Sequence, residues 1–282
     1  MARGISALET MPVSPYSRLT RGLLAVEAGA VLTFLYLPIA FLILFSFEKA
    51  DSPGFPITGL TTHWYEAMIA DTAIHTALFN SVLVAVIVAI LATIIGTTAA
   101  FALVRGRTRF AGTGRLLFTL PIMIPGVLIG IGLLIFVRRA LNLQLGLHTV
   151  IAGHLVFTTS FVVLIVAARL QGFDRRLEWA AADLGANRVQ TLRHIILPLI
   201  APAIIAGALL SVTLSIDEFV ITFFTIGPQT TLPLYIYTQI KFGVTPEVNA
   251  LATVILVVTL GVFAIGSLLL SSGRRFRRRG TA

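Results

Sequence analysis

Leu177-Glu178-Trp179-Ala180-Ala181-Ala182-Asp183-Leu184-Gly185-Ala186-Asn187, continuing to His194-Ile195-Ile196-Leu197-Pro198, is the stretch that decides the reading of this chain. Glu178 to Leu184 are mostly good helix formers. Gly185 suits a helix C-terminus, where the backbone turns through positive φ. Asn187 is a good N-cap for a following helix through Thr191 towards Ile196. Pro198 lacks an N–H and marks an expected boundary, where the next apolar segment begins. The spacing predicts two short helices around a tight turn, a rigid element suited to docking.

The segments on either side of this element are apolar. Of 282 residues, 57% are hydrophobic and 12% charged, whereas a soluble domain is about half apolar and a quarter charged. Bilayer-embedded helices account for the difference. A span needs about 20 mostly apolar residues. Six stretches qualify, at residues 23–47, 80–104, 116–137, 149–168, 199–226 and 248–270. The first contains Glu27 and Pro38, and the fifth is interrupted by Asp217-Glu218. The third carries Pro121, Pro125, Gly126, Gly130 and Gly132. These kink the span beside a pathway or serve plain helix packing, and packing is the simpler expectation.

Lys and Arg set the orientation. Seventeen lie before span one, after spans two and four, and in the tail, against four in the alternate segments (Lys49, Arg138, Arg139 and Lys241). The basic segments, including both termini, are therefore expected in the cytoplasm. The first apolar stretch reads as a retained span rather than a cleaved leader. The expected organisation is an N-terminal cytoplasmic extension at residues 1–22, a transmembrane domain at 23–272 and a basic tail at 273–282. Within the domain lies a cytoplasmic loop at about 171–198. The tail reads as a topology anchor drawn to anionic membrane lipid. The net charge of +9 does not indicate nucleic acid, because no basic face carries interleaved aromatics.

Ala180, Ala181, Gly185, Ile195, Leu197 and Pro198 match the loop pattern E-A-A-x3-G-x9-I-x-L-P. In this the chain resembles the inner-membrane permease subunits of type I ABC importers. Trp179 stands where that pattern has Glu, and Glu178 precedes it by one position. The resemblance implies an all-α integral membrane protein of about six transmembrane helices in the type I (MetI-like) permease fold, with span one outside a core of five. It implies that the loop, including Asp183, Ala186 and Asn187, couples to an ATP-binding subunit. It also implies two such subunits holding the ATP and magnesium, a second related permease chain, and a periplasmic or lipid-anchored binding protein. The phrasing from Leu214 through Gly227-Pro228 to Ala250 is similar to the spermidine/putrescine permeases, specifically their second permease subunit.

Asp217 and Glu218 are adjacent acids in an apolar segment. A charge at mid-bilayer costs roughly 2.5–3.5 kcal/mol on insertion scales, so both must meet water, a partner or a cavity. Asp217 lies roughly 28 Å along a helix from Pro198, in the outer half of the membrane. The pair either draws a polycation into the pathway, or pairs with Arg138 or Arg139, or caps a broken helix. Tyr235, Tyr237 and Phe242 follow, as interface anchors or as contacts for an amine or the binding protein.

The chain contains no G-x-x-x-x-G-K-[ST], H-E-x-x-H or G-x-S-x-G motif. There is no cysteine, so no thiol catalyst or thiolate metal site is available. His148 and His154 do not share a helical face as ligands would, and His154 is expected to be a hydrogen-bonded packing residue. These absences predict a transport subunit without catalytic, cofactor or metal sites. An importer permease for another small solute is the alternative. An ion-coupled secondary transporter is a weaker one, because no inverted repeat is present.

Overall fold

The structure is a computed structural model that describes residues 18–106 and 111–261. The extension at 1–17, Arg107, Arg109, the end of the sixth apolar stretch and the basic tail lie outside the described residues. In chain order the helices are α1 (Arg18–Phe45), α2 (His63–Ala70), α3 (Thr72–Arg105), α4 (Ala111–Met123), α5 (Gly126–Ile135) and α6 (Leu147–Gln171). Then come α7 (Arg176–Asp183), α8 (Arg188–Thr191), α9 (Leu197–Asp217), α10 (Val220–Thr225), α11 (Leu232–Phe242) and α12 (Pro246–Gly261). Among the described residues the only β-pairing is an isolated bridge between Glu48 and Leu60.

Among the described residues four helices are long and apolar enough to cross a membrane unbroken: Gly22–Phe45, Thr72–Arg105, Leu147–Gln171 and Arg188–Asp217. The third expected span is different. Gly112–Met123 and Gly126–Ala140 meet at 101°, so the proline-glycine pair there breaks the helix instead of merely packing it. Pro125 cannot donate a backbone hydrogen bond. It stands at the N-cap of α5 with φ −54° and ψ 134°, which turns the chain out of the helical direction.

Pro198 does the opposite of what its sequence suggests. No boundary forms there, and the helix runs from Arg188 to Asp217. The preceding turn, Leu192–Ile196, widens to a π-helical one. In it the Leu197 N–H reaches back to the Leu192 carbonyl, and the wider turn accommodates the proline ring. The fifth span also stops earlier than residue 226. It ends at Asp217, and α10 starts afresh at Val220.

The chain divides into two compact units. One is residues 70–243. Its centre is α3, α6 and α9, joined through Ala92, Ala100, Val162, Val166, Leu170, Ile196 and Ile200, all buried. A Cβ at Gly96 of α3 would lie 2.7 Å from Val162 Cβ, so only glycine permits α6 to approach α3 this closely. A second cluster joins Val84, Val88, Val150 and Ile226. α11 is fastened to α3 by polar contacts. Asn80 Nδ2 donates to the Thr230 carbonyl at 2.8 Å, and Leu232 N–H to Ser81 Oγ at 2.8 Å.

Among the described residues the other unit comprises 18–69 and 244–261. α1 exposes apolar side chains such as Val26, Phe34 and Leu35 on all faces, as a helix surrounded by lipid does. The following loop is organised by Glu48. Its Oε1 accepts from the Thr58 hydroxyl at 2.7 Å, the Thr58 N–H at 3.0 Å and the Ala50 N–H at 3.3 Å. Its carbonyl accepts from Trp64 Nε1 at 2.7 Å. The Thr58 hydroxyl bond, above all, holds the Glu48 carboxyl below its ordinary pKa, outweighing the opposing effect of desolvation.

Candidate functional site

The element between α6 and α9 folds as two short helices. α7 ends at Asp183, and Gly185 takes φ +80° with nothing within 4 Å of where a Cβ would stand. The turn therefore depends on backbone conformation alone. Asn187 caps α8 through a reciprocal pair: its Oδ1 accepts from Gln190 N–H at 2.9 Å, and Gln190 Oε1 accepts from Asn187 N–H at 2.8 Å. Ala181 faces inward and is the one buried residue of α7. Ala180 and Asp183 are exposed, Ala186 is half-buried, and Ile195 and Leu197 are half-buried on the helix leading to exposed Pro198.

Three apolar side chains project outward from this element: Leu184 is 89% exposed, Val189 70% and Trp179 66%. Apolar side chains exposed together on a short element are a feature of protein-binding surfaces. Glu178 pairs with Arg105 at the end of α3.

The continuous helix starting at Arg188 ends on Asp217, the second candidate region. Asp217 is exposed, and among the described residues its carboxylate has no hydrogen bond or ion pair. Glu218 is different. Its Oε1 accepts the Ile221 N–H at 3.0 Å and caps α10. Neither acid pairs with Arg138 or Arg139, since Arg105–Glu178 is the only Lys/Arg–carboxylate pair between two described residues.

Glu218 also lies where the two broken helices meet. A Cβ at Gly126 would come within 3.8 Å of its Oε1, and one at Gly130 within 3.3 Å of Ile221 Cα. The break is bridged from α6 by His154, which is fully buried. Nδ1 lies 2.9 Å from Ser215 Oγ and Nε2 2.9 Å from Thr222 Oγ1. Thr222 donates its single hydrogen to the Glu218 carbonyl at 2.8 Å. Nε2 therefore donates to Thr222, and Nδ1 accepts from Ser215. His154 is a packing residue, and it fixes the angle between α9 and α10.

The two tyrosines separate. Tyr235 is buried and donates to Asp71 Oδ2 at 2.9 Å, a bond that secures α11. Tyr237 is half exposed and lies over Phe219, with ring centroids 4.7 Å apart and Phe223 6.0 Å away. This places an aromatic cluster beside the Asp217-Glu218 corner. Phe219 and Phe223 are not distinguishable in sequence from other apolar span residues. The signal available was their spacing of four, which puts both on one helical face.

Residues 92–279 match the binding-protein-dependent transport system inner membrane component family. The chain belongs to this family. It is 42% identical over 243 residues to the spermidine/putrescine transport system permease protein PotC of Escherichia coli K12, covering 86% of this chain and 91% of that one. It is 40% identical to the putrescine transport system permease protein PotI of the same organism, over 79% and 82% of the two chains. PotC of Haemophilus influenzae is 38% identical over 85% and 93%. Among solved structures, a bacterial ABC transporter involved in import of the acidic polysaccharide alginate superposes with a TM-score of 0.72 at 18% identity, over 90% of this chain and 98% of that one. The MetNI methionine ABC transporter gives 0.56 at 17% identity, over 70% and 95%. The fold is thus that of an ABC importer permease. The chain is a multi-pass membrane transport subunit, not an enzyme.

Proposed function

We propose that this permease lines the pathway of an importer for polyamines such as spermidine and putrescine. The carrying observation is the unpaired, exposed Asp217 at the end of the helix that begins in the docking element, beside the ring cluster of Phe219, Phe223 and Tyr237. A carboxylate next to aromatic faces suits an extended organic cation. The acid supplies the charge, and the rings add cation–π attraction without binding a hydrated metal ion tightly. The names of the 40–42% identical relatives support the same reading.

In this reading the transmembrane domain pairs with a second permease chain, and two ATP-binding subunits holding ATP and magnesium dock on the cytoplasmic side. A periplasmic or lipid-anchored binding protein delivers the amine, and both termini are cytoplasmic. Trp179, Leu184 and Val189 enter the ATP-binding subunit. ATP binding favours the state in which the two docking elements approach each other, which shifts the population between inward- and outward-open forms. The helix Arg188–Asp217, about 45 Å long at the standard rise, carries that movement directly to the acid.

The test is uptake of radiolabelled putrescine and spermidine in cells expressing all subunits, with and without this chain, competed by amino acids and sugars. Uptake that requires this chain and is blocked only by polyamines is the expected result. Dependence of a different solute on this chain would refute the substrate assignment.

A further inference from the structure

Building on the importer reading above, we propose that Arg105 is a positioning residue that ties the docking helix α7 to α3, so that movement at the ATP-binding subunit reaches α3 as well as the two spans that flank α7 in the chain.

α7 is poorly anchored by apolar contact, since it buries only Ala181. Its covalent routes to the bundle are the short link 172–175 from α6 and the turn at Gly185 towards α9, where backbone conformation alone sets the angle. A push on α7 transmitted only through these two links would reach α6 and α9 but not α3. Arg105, the last residue of α3, closes the open side. Its Nη1 donates to Glu178 Oε1 in α7. The guanidinium carbon lies 5.3 Å from the centre of the Phe173 ring. Phe173 itself packs on the buried cluster of α3, α6 and α9. The clamp thus runs from α7, through the guanidinium, to the end of one span and the core of the bundle.

The electrostatics favour a permanent clamp. Both side chains are largely buried, at 18% and 25% exposure. Arg105 Nε and Nη2 are buried and have no hydrogen-bond partner among the described residues. Glu178 is therefore the acceptor that compensates this guanidinium, and opening the pair would leave a buried charge without one. Arg175 and Arg188 share with this pair and Trp179 a cavity of about 740 Å³. Neither lies in an ion pair with Glu178, so among the described residues Arg105 alone holds this carboxylate.

The readout is the ratio of substrate imported to ATP hydrolysed, measured in proteoliposomes holding the complete complex and binding protein. With Glu178→Gln or Arg105→Gln, binding-protein-stimulated hydrolysis is expected to persist. Import per ATP should fall by roughly tenfold, within the usual span of coupling between linked sites. The exchange Arg105→Glu with Glu178→Arg should recover most of the ratio. Because the chain has no cysteine, Arg105→Cys with Glu178→Cys can be joined by a short bis-maleimide. Import per ATP should rise in the linked half of the same preparation, a control that does not depend on folding yield. An unchanged ratio in Glu178→Gln overturns the proposal. So does parallel loss of hydrolysis and import that neither exchange nor linking repairs, because Glu178 would then act on the ATP-binding subunit itself. Failure of the importer reading shows separately, as absence of binding-protein-stimulated hydrolysis in the unsubstituted complex.

Discussion

Gly153→Ala is expected to spread the crossing of α6 and α10 and destabilise the protein by about 2–4 kcal/mol. A Cβ at Gly153 would stand 2.5 Å from Ile221 Cγ2 and 3.2 Å from Leu133 Cδ2. Carbon atoms rest at about 3.5–4.0 Å, so one helix must shift by roughly 1 Å. Ile221 is fully buried and β-branched, so its methyl cannot rotate away easily. Overpacking of this kind costs about 1–3 kcal/mol. The adjacent bond from His154 Nε2 to Thr222 Oγ1, now 2.9 Å, opens with the same shift and loses about 0.5–1.5 kcal/mol. The assay is thermal unfolding of the solubilised protein, where a fall in Tm of roughly 5–15 °C corresponds to this loss. Ile221→Ala alone should cost about 2–5 kcal/mol by leaving a cavity. The double variant should cost less than the two single variants combined by about 1 kcal/mol or more. An unchanged Tm in Gly153→Ala, or simple additivity in the double variant, would refute the reasoning.

At the docking turn, Gly185→Val forces a side chain into φ +80° at a conformational cost of about 1–2 kcal/mol. Tm of the permease should change little, while pull-down of the ATP-binding subunit weakens and Gly185→Asn retains more of it. Asp217→Asn removes the unpaired charge without altering shape. The apparent KM for putrescine uptake should rise, with subunit assembly and basal ATP hydrolysis unchanged. For Glu48, the folded carboxyl titrates below its unfolded value of 4.5. Its stabilisation of the 46–62 loop is thus fully present above about that pH and is lost as pH falls through the lower folded pKa. Proteolysis of this loop should therefore accelerate on acidification from neutrality to pH 3, and Glu48→Gln should abolish that dependence.

The spans were legible because apolar runs of about 20 residues have few meanings, and the helix–turn–helix between α6 and α9 was legible because Gly185 and Asn187 act within their own turns. Prolines show where local reading stops. Pro125 breaks a helix and Pro198 does not. At Pro125 the neighbouring α10 packs over Gly126 and Gly130, so the broken backbone is covered by protein. At Pro198 a π-helical turn takes up the ring. Neither outcome is encoded in the proline itself. Asp217 and Glu218 are neighbours of the same charge, yet Glu218 caps α10 and Asp217 is unpaired, a division set by which carboxylate reaches the Ile221 N–H. Arg105 read as a topology charge because its partner lies 73 residues away. Likewise the rings at 219, 223 and 237 meet only once α11 has folded back.

The bend at Pro125 also has a consequence for synthesis. The break leaves backbone groups that lipid cannot satisfy, and the segment that packs over it, α10, begins at Val220. Translation at about 5–20 residues per second needs roughly 5–20 s to go from the end of α5 to α10. During that interval the half-span waits beside the insertion machinery without its cover. Codon substitutions that slow elongation between residues 140 and 220 lengthen that wait and expose the nascent chain to membrane proteases, with no change in the finished sequence.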